Sequence, residues 1–270
     1  MTAIVRRRYW ERQPVRLSRL DHTHPCAAGA GDARACAYVF TPAGYLAKSG
    51  GFGSQSFYDQ TKTQNVIDWS GNGHTGTTTG GPGGFVGGAT DPQGMCYDFN
   101  ANPVGAMTTG VTPDTTFTEA TVYWGMYTTR SLASGSNNAQ IAWGCYDGTN
   151  YIGIDQNSIT NVCDCVVFNS GATFSFSAWP AGRYFNMALV WKNGTPQTLY
   201  QNGAVLPLSG ASNVSVVNMG ANGDFRVGER GTEVVFSFLG RMFYWYFFPR
   251  AHSAGQVALM NANPYRIFPR

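Results

Sequence analysis

The sequence predicts an all-β protein: a two-sheet sandwich with one short C-terminal helix and an extended N-terminal arm. Three observations predict it. From Val234 onward the chain carries an aromatic strand whose two faces are both bulky, so that strand lies between covering layers rather than at a half-wet edge. Asn193-Gly194 and Asn202-Gly203 interrupt alternating apolar runs, which is the strongest short-range signal for a type I′ hairpin. The 270 residues include 34 glycines and 14% aromatics but only 12% charged residues. That is too little charge for the outer faces of a helical bundle. No repeat with a period of 20–50 residues is visible, which excludes a propeller or solenoid.

The arm comes first. Arg6, Arg7, Arg8, Arg12, Arg16 and Arg19 place six of the 18 basic residues in the first twenty positions, against the single acid Glu11. The segment therefore carries +5 and the rest of the chain −2. With Tyr9 and Trp10 it reads as a peptide that docks on a partner; the alternative is a leader folded back over its own sandwich. One short basic run without a recognised module does not predict nucleic-acid binding. Residues 1–58 are read as arm and lead-in, and 59–270 as the sandwich domain.

Within the domain, the glycines of DWSGNGHTG, beginning at Asp68, suit a tight turn, and Asp68 and Asn72 can bond their own backbone. The Gly-rich stretches 50–53 and 80–88 read as loops between strands. Trp69 and Trp179 are expected to be structural. In the segment 185–192, Phe185, Met187, Leu189 and Trp191 share one strand face, while Asn186, Ala188, Val190 and Lys192 share the other. In the last strand, Met242, Tyr244, Tyr246 and Phe248 are expected to alternate with Phe243, Trp245 and Phe247. Arg241 and Pro249 bound this run, which is too short to cross a membrane. Ser253 caps a brief helix with Ala254, Val257 and Ala258 on one face, and Pro264 stops it.

Three of these stretches carry a family resemblance. The Asp68 loop resembles a D-x-SGN-x-H-x-G turn, and the segment from Trp179 to Leu206 resembles a W-x-H-v-A-l-v-y-d-G … l-Y-v-d-G hairpin. The final strand closed by a lone helix is similar to the end of the laminin-G-like, concanavalin A-like jelly roll. The lead-in pieces Gln13-Pro14, Leu20-Asp21, His24-Pro25 and Gly29, with the closing run Asn263 to Phe268, resemble laminin-G-like proteins encoded in tailed-phage and prophage genomes. The match departs at Cys26, where that pattern has leucine. The resemblance implies a virion structural protein, a capsid decoration or head-fibre subunit whose arm docks on a major capsid or tail protein, as a homo-oligomer. The alternative it leaves open is a carbohydrate-binding tail or surface module that contacts host glycans.

No enzymatic site is expected. Glycosidases of related folds place paired carboxylates on one strand, where alternate positions approach the separation that retaining hydrolysis needs. The four glutamates are Glu11, Glu119, Glu229 and Glu233, and none has an acid two residues away. Glu229 and Glu233 flank a Gly-Thr turn and read as solvated. No G-x-S-x-G elbow accompanies the histidines His22, His24, His74 and His252. His22, His24 and Cys26 lack a fourth ligand for a metal.

Laminin-G-like domains that bind calcium use a carboxylate-rich stretch. Here it appears as Tyr97-Asp98-Phe99-Asn100-Ala101-Asn102, with one acid replaced and one missing, so no cofactor is expected. No secretory signal is visible, which predicts a virion protein assembled in the host cytoplasm with reduced cysteines. Cys163 and Cys165 point to one face of a strand and are poorly placed to bond each other. The candidate glycan contact is the loop in CYDGTNYIG: Tyr146 and Tyr151 offer rings for stacking, and Asp147 and Asn150 offer partners for hydroxyls.

Overall fold

Strand alternation, glycine turns and one capped helix build the elements observed. The computed structural model describes residues 38–40, 65–66, 76–79, 97–99, 106–113, 115–129, 140–156, 163–168, 170–174, 181–219, 223–229 and 238–264. The first sheet runs β1 (Tyr38–Phe40), β15 (Gly240–Phe248), β6 (Glu119–Thr128), β11 (Arg183–Lys192), β12 (Thr198–Gln201) and β13 (Ala204–Leu206). A seventh strand, β4 (Tyr97–Asp98), also pairs with β15. The second sheet runs β10 (Ser170–Phe174), β9 (Cys163–Val167), β8 (Tyr151–Gln156), β7 (Gln140–Tyr146), β14 (Arg226–Val227), β5 (Ala106–Thr108), β3 (Gly76–Thr79) and β2 (Asn65–Val66). Each described ladder is antiparallel. The chain is thus an all-β, two-sheet jelly-roll sandwich with one short helix, as the sequence predicts. Because β1 pairs with β15, strand pairing reaches back into the segment read as lead-in.

The core between the sheets is aromatic. Trp124 of β6 and Trp143 of β7 meet edge-on with centroids 5.3 Å apart, and Trp143 also meets Trp245 of β15. Phe225 packs on Trp143, Trp245 and Phe247, and Trp191 packs on Phe247. Phe185, Met187, Leu189 and Trp191 of β11 all enter this core, which confirms the register read from the sequence. Edge-to-face contacts suit rings whose faces are electron-rich and whose edges are electron-poor.

A second apolar cluster lies on the outer face of the first sheet. It contains Tyr123, Ala188, Tyr200, Phe243, Tyr244, Tyr246 and Phe248, with Val257 and Met260 from the helix α1 (Ala254–Ala262). Ser253 caps α1: Gln256 N donates to its hydroxyl, and Ser253 N donates to the Gln256 side chain, which completes a capping box. The Phe248–Ser253 turn is fixed by His252. Its ring lies against Phe248 and Tyr123, its Nδ1 is 2.8 Å from the Tyr123 hydroxyl, and its backbone N–H donates to Thr121 Oγ1.

Three local readings need correction. In β15 the pairing steps from Met242↔Met126 to Tyr244↔Gly125, so Phe243 is an extra residue in a β-bulge. Met242 therefore joins Trp245 and Phe247 in the inner core, and Phe243 joins Tyr244, Tyr246 and Phe248 outside. Strict alternation misplaces these two residues because a bulge resets the period.

In α1 the buried residues are Val257 and Met260, while Ala254 and Ala258 are exposed. The longer side chains reach the sheet where alanines do not.

At Asn202-Gly203 both residues take positive φ, 51° and 83°, in the two-residue hairpin between β12 and β13. At Asn193-Gly194 only the glycine does, at 77°, and Thr195 N–H closes the turn on the Lys192 carbonyl. That turn is of the type II kind, which needs glycine at its third position, inside a longer connection.

Candidate functional site

The candidate glycan loop is a tightly bonded turn between β7 and β8. Asp147 Oδ1 accepts from the backbone N–H of Thr149 at 2.8 Å and of Asn150 at 2.7 Å, and Oδ2 accepts from Asn150 Nδ2 at 3.1 Å. This is an Asx turn, in which a short carboxylate replaces backbone partners. Gly148 takes φ of 101° at the tip, and the Tyr146 hydroxyl donates to its carbonyl. The structure thus brings Tyr146, Asp147 and Asn150 together, all half-buried. Tyr151 pairs directly with Tyr146 across β7 and β8, but it is buried, and its hydroxyl points at Asp155 Oδ2, 3.5 Å away. Its ring is therefore not offered to a ligand from the loop, whereas that of Tyr146 is partly open.

The outer face of the second sheet holds charges that the sequence reading missed. Arg226, Gly144 and Gly153 follow one another across β14, β7 and β8. Glu229 is buried, and its Oε1 accepts from Arg226 Nη1 at 2.6 Å. The expectation that Glu229 is a solvated loop residue is corrected. Burial raises its carboxyl above the usual 4.5, and the hydrogen bond and charge of Arg226 pull it partly back. Its position three residues after an arginine at a strand end was the available signal.

Asp155 and Asp164 stand directly opposite each other on β8 and β9. A search for acids two apart on one strand cannot find a pair formed across two strands. Asp155 is buried, and Asp164 is half-buried. On the inner side of the same strands, Cys163 and Cys165 are free and buried, as is Cys145 on β7. Burial pushes all three thiols up. The carboxylates of Asp155 and Asp164 add to this for Cys163 and Cys165, and those of Asp224 and Asp147 for Cys145. These thiols suit a packed core and not nucleophilic chemistry.

On the outer face of the first sheet, Asn186 of β11 gathers two tyrosines. Its Oδ1 accepts from the hydroxyls of Tyr184 and Tyr244, and its backbone N–H donates to Asn202 Oδ1. Gly125 makes room for this: a Cβ there would run into the Tyr244 ring.

The arm residues Arg6, Arg7, Arg8, Tyr9, Trp10, Arg12, Arg16 and Arg19 lie outside the described residues. So do Asp68, Trp69, Trp179, Glu233, His22, His24, His74, Cys26, Cys36 and Cys96. Among the described residues no helix is long and apolar enough to cross a membrane.

The sequence matches no protein-family model and no curated protein. Solved structures share its fold at low identity. Domain 4 of AbnA, an extracellular arabinanase from Geobacillus stearothermophilus solved in complex with arabinotriose, is 16% identical with a TM-score of 0.54. That match covers 84% of this chain and 98% of that domain. Trypanosoma rangeli sialidase in complex with the inhibitor DANA is 10% identical with a TM-score of 0.56, over 90% of this chain. The chain spans 35% of the sialidase, so the likeness is to one part of a larger enzyme. At these identities the likeness establishes the sandwich alone.

Proposed function

We propose that this sandwich is a non-enzymatic carbohydrate-binding domain that contacts glycan at the β7–β8 loop. The observation that carries the reading is the construction of that loop. Asp147 uses both carboxylate oxygens to hold the turn, and the Tyr146 hydroxyl bonds the Gly148 carbonyl at its tip, which fixes the partly open Tyr146 ring at the loop before any ligand arrives. A pre-ordered aromatic ring loses little freedom on stacking against a sugar. The arabinotriose complex of the similar AbnA domain supports the same reading. Calorimetric titration with neutral oligosaccharides tests it. Wild type should release heat, and Tyr146→Ala should lose about tenfold in affinity at this loop with an unchanged melting temperature. A protein silent toward every sugar overturns the reading.

A second reading concerns where the domain is displayed, and the +5 arm favours it. On this reading the chain is a phage virion protein, a capsid decoration or head-fibre subunit, and the arm docks on an acidic groove of a capsid or tail protein. Arginine forks suit carboxylates. Deleting residues 1–20 should leave a folded sandwich that no longer joins the particle. Unchanged attachment would move the docking face to the sandwich.

A further inference from the structure

We propose that the half-open end of the outer face of the first sheet is a second saccharide-binding surface, a platform of Tyr127 and Tyr184 edged by Arg241 and Asn186. The proposal rests on the reading of the chain as a carbohydrate-binding domain, and it assigns a separate site and a ligand class.

The register places Arg241, Tyr127 and Tyr184 side by side on β15, β6 and β11. All three are half-buried and lie on the outer face, since Met242, Met126 and Phe185 beside them enter the inner core. The row crosses two inter-strand spacings, about 10 Å, which suits roughly one or two sugar rings. The rings are held in place. The Arg241 guanidinium sits 5.8 Å from the Tyr127 centroid, and Tyr184 meets Phe243 edge-on at 5.2 Å.

Polar groups at the row remain available. The Tyr127 hydroxyl makes no hydrogen bond with any described residue. Asn186 Oδ1 is occupied by two tyrosine hydroxyls, which fixes the amide so that Nδ2, with no bond to a described residue, is left to donate. A hydroxyl and an amide donor beside two aromatic rings match the alternating polar and C–H surfaces of a sugar.

The same features argue for a neutral saccharide over other occupants. Asp98 of β4 stands opposite Arg241, so the edge of the row carries one charge of each sign, which suits a neutral ligand better than an ion. The exposed large apolar side chains among the described residues are Val205 and Leu259, neither of them in this row. Three half-buried side chains offer far less area than a stable protein interface buries, so the row suits a small ligand.

Calorimetry with arabinotriose, maltotriose and cellotriose, at millimolar sugar, tests the platform. Wild type should show two binding events with at least one of the three. Tyr127→Ala/Tyr184→Ala should lose one event and keep the other, and Tyr146→Ala should do the converse. Tyr127→Phe, which keeps the ring and cannot disturb packing, should weaken the platform event about two- to fivefold. An unchanged isotherm for both Tyr127 variants overturns the platform and leaves the loop reading intact. No heat from wild type with any of the three sugars overturns both.

Discussion

The two faces of β15 are both closed to water but are built from different chemistry. Its inner face presents Met242, Trp245 and Phe247 to the core between the sheets, and its outer face presents Phe243, Tyr244, Tyr246 and Phe248. Inside, the indole N–H groups of Trp124, Trp143 and Trp191 are buried without an acceptor. Shape and apolar area outweigh that loss, since filling the space between two sheets takes large rings and leaving one N–H unpaired costs only about 1–3 kcal/mol. Outside, two of the hydroxyls find side-chain partners: that of Tyr123 reaches His252 and that of Tyr244 reaches Asn186. A single layer of helix and turn covers that face, so polar groups lie within reach and tyrosine replaces tryptophan.

The difference predicts unequal responses to truncation. Trp245→Ala or Trp191→Ala should cost about 3–5 kcal/mol through lost burial and a cavity between two rigid sheets. Tyr123→Phe, which keeps the ring and loses the His252 bond, should cost about 1 kcal/mol. Denaturant melts read both. Equal losses at Trp245 and Tyr123 would break the comparison, because the outer layer would then be as fixed as the core.

An intermediate effect is expected where the two faces of one strand meet a glycine. On β6, Gly125 lies between Trp124 and Met126 of the core, with the Tyr244 ring over its outer side. Gly125→Ala would put a methyl into that ring and displace Tyr184 as well, whose hydroxyl is 2.8 Å from the Cβ position. Overpacking of this kind costs about 1–3 kcal/mol. The inner core should be untouched, so tryptophan fluorescence should stay native while tyrosine signals shift. A shift of both together would mean that the sheet transmits strain from face to face.

Most of the sandwich was legible because period-two alternation is written directly into Phe185 to Lys192, and the Asn202-Gly203 turn declares its own geometry. What was not legible is non-local. The bulge at Phe243 depends on which residue of β6 faces Tyr244, and that is Gly125, far away in sequence. The Asp155–Asp164 pair exists only once β8 and β9 are in register. Tyr151 and Tyr146 look equivalent in the loop sequence, but they lie on different strands and differ in burial. Residue type therefore located the loop, and strand pairing decided which of its rings is open.

The smallest effect extends the comparison to the second sheet, where the outer face holds a charge instead of a hydroxyl. Glu229 is buried against Arg226, and burial raises its carboxyl above 4.5 despite the arginine. The folded protein therefore keeps the Glu229 proton to a higher pH than the unfolded chain does. Between those two values folding binds a proton, so stability falls as pH rises. The contribution is full below pH 4.5 and is lost as pH climbs through the folded value. Glu229→Gln removes this titration while keeping the side chain's shape. The melting temperature of the variant relative to wild type should therefore rise from pH 4.5 upward and then level off. A difference that stays constant across that range would mean that Arg226 compensates the buried charge in full. The outer face of the second sheet would then hold an ion pair as readily as the first holds its tyrosines.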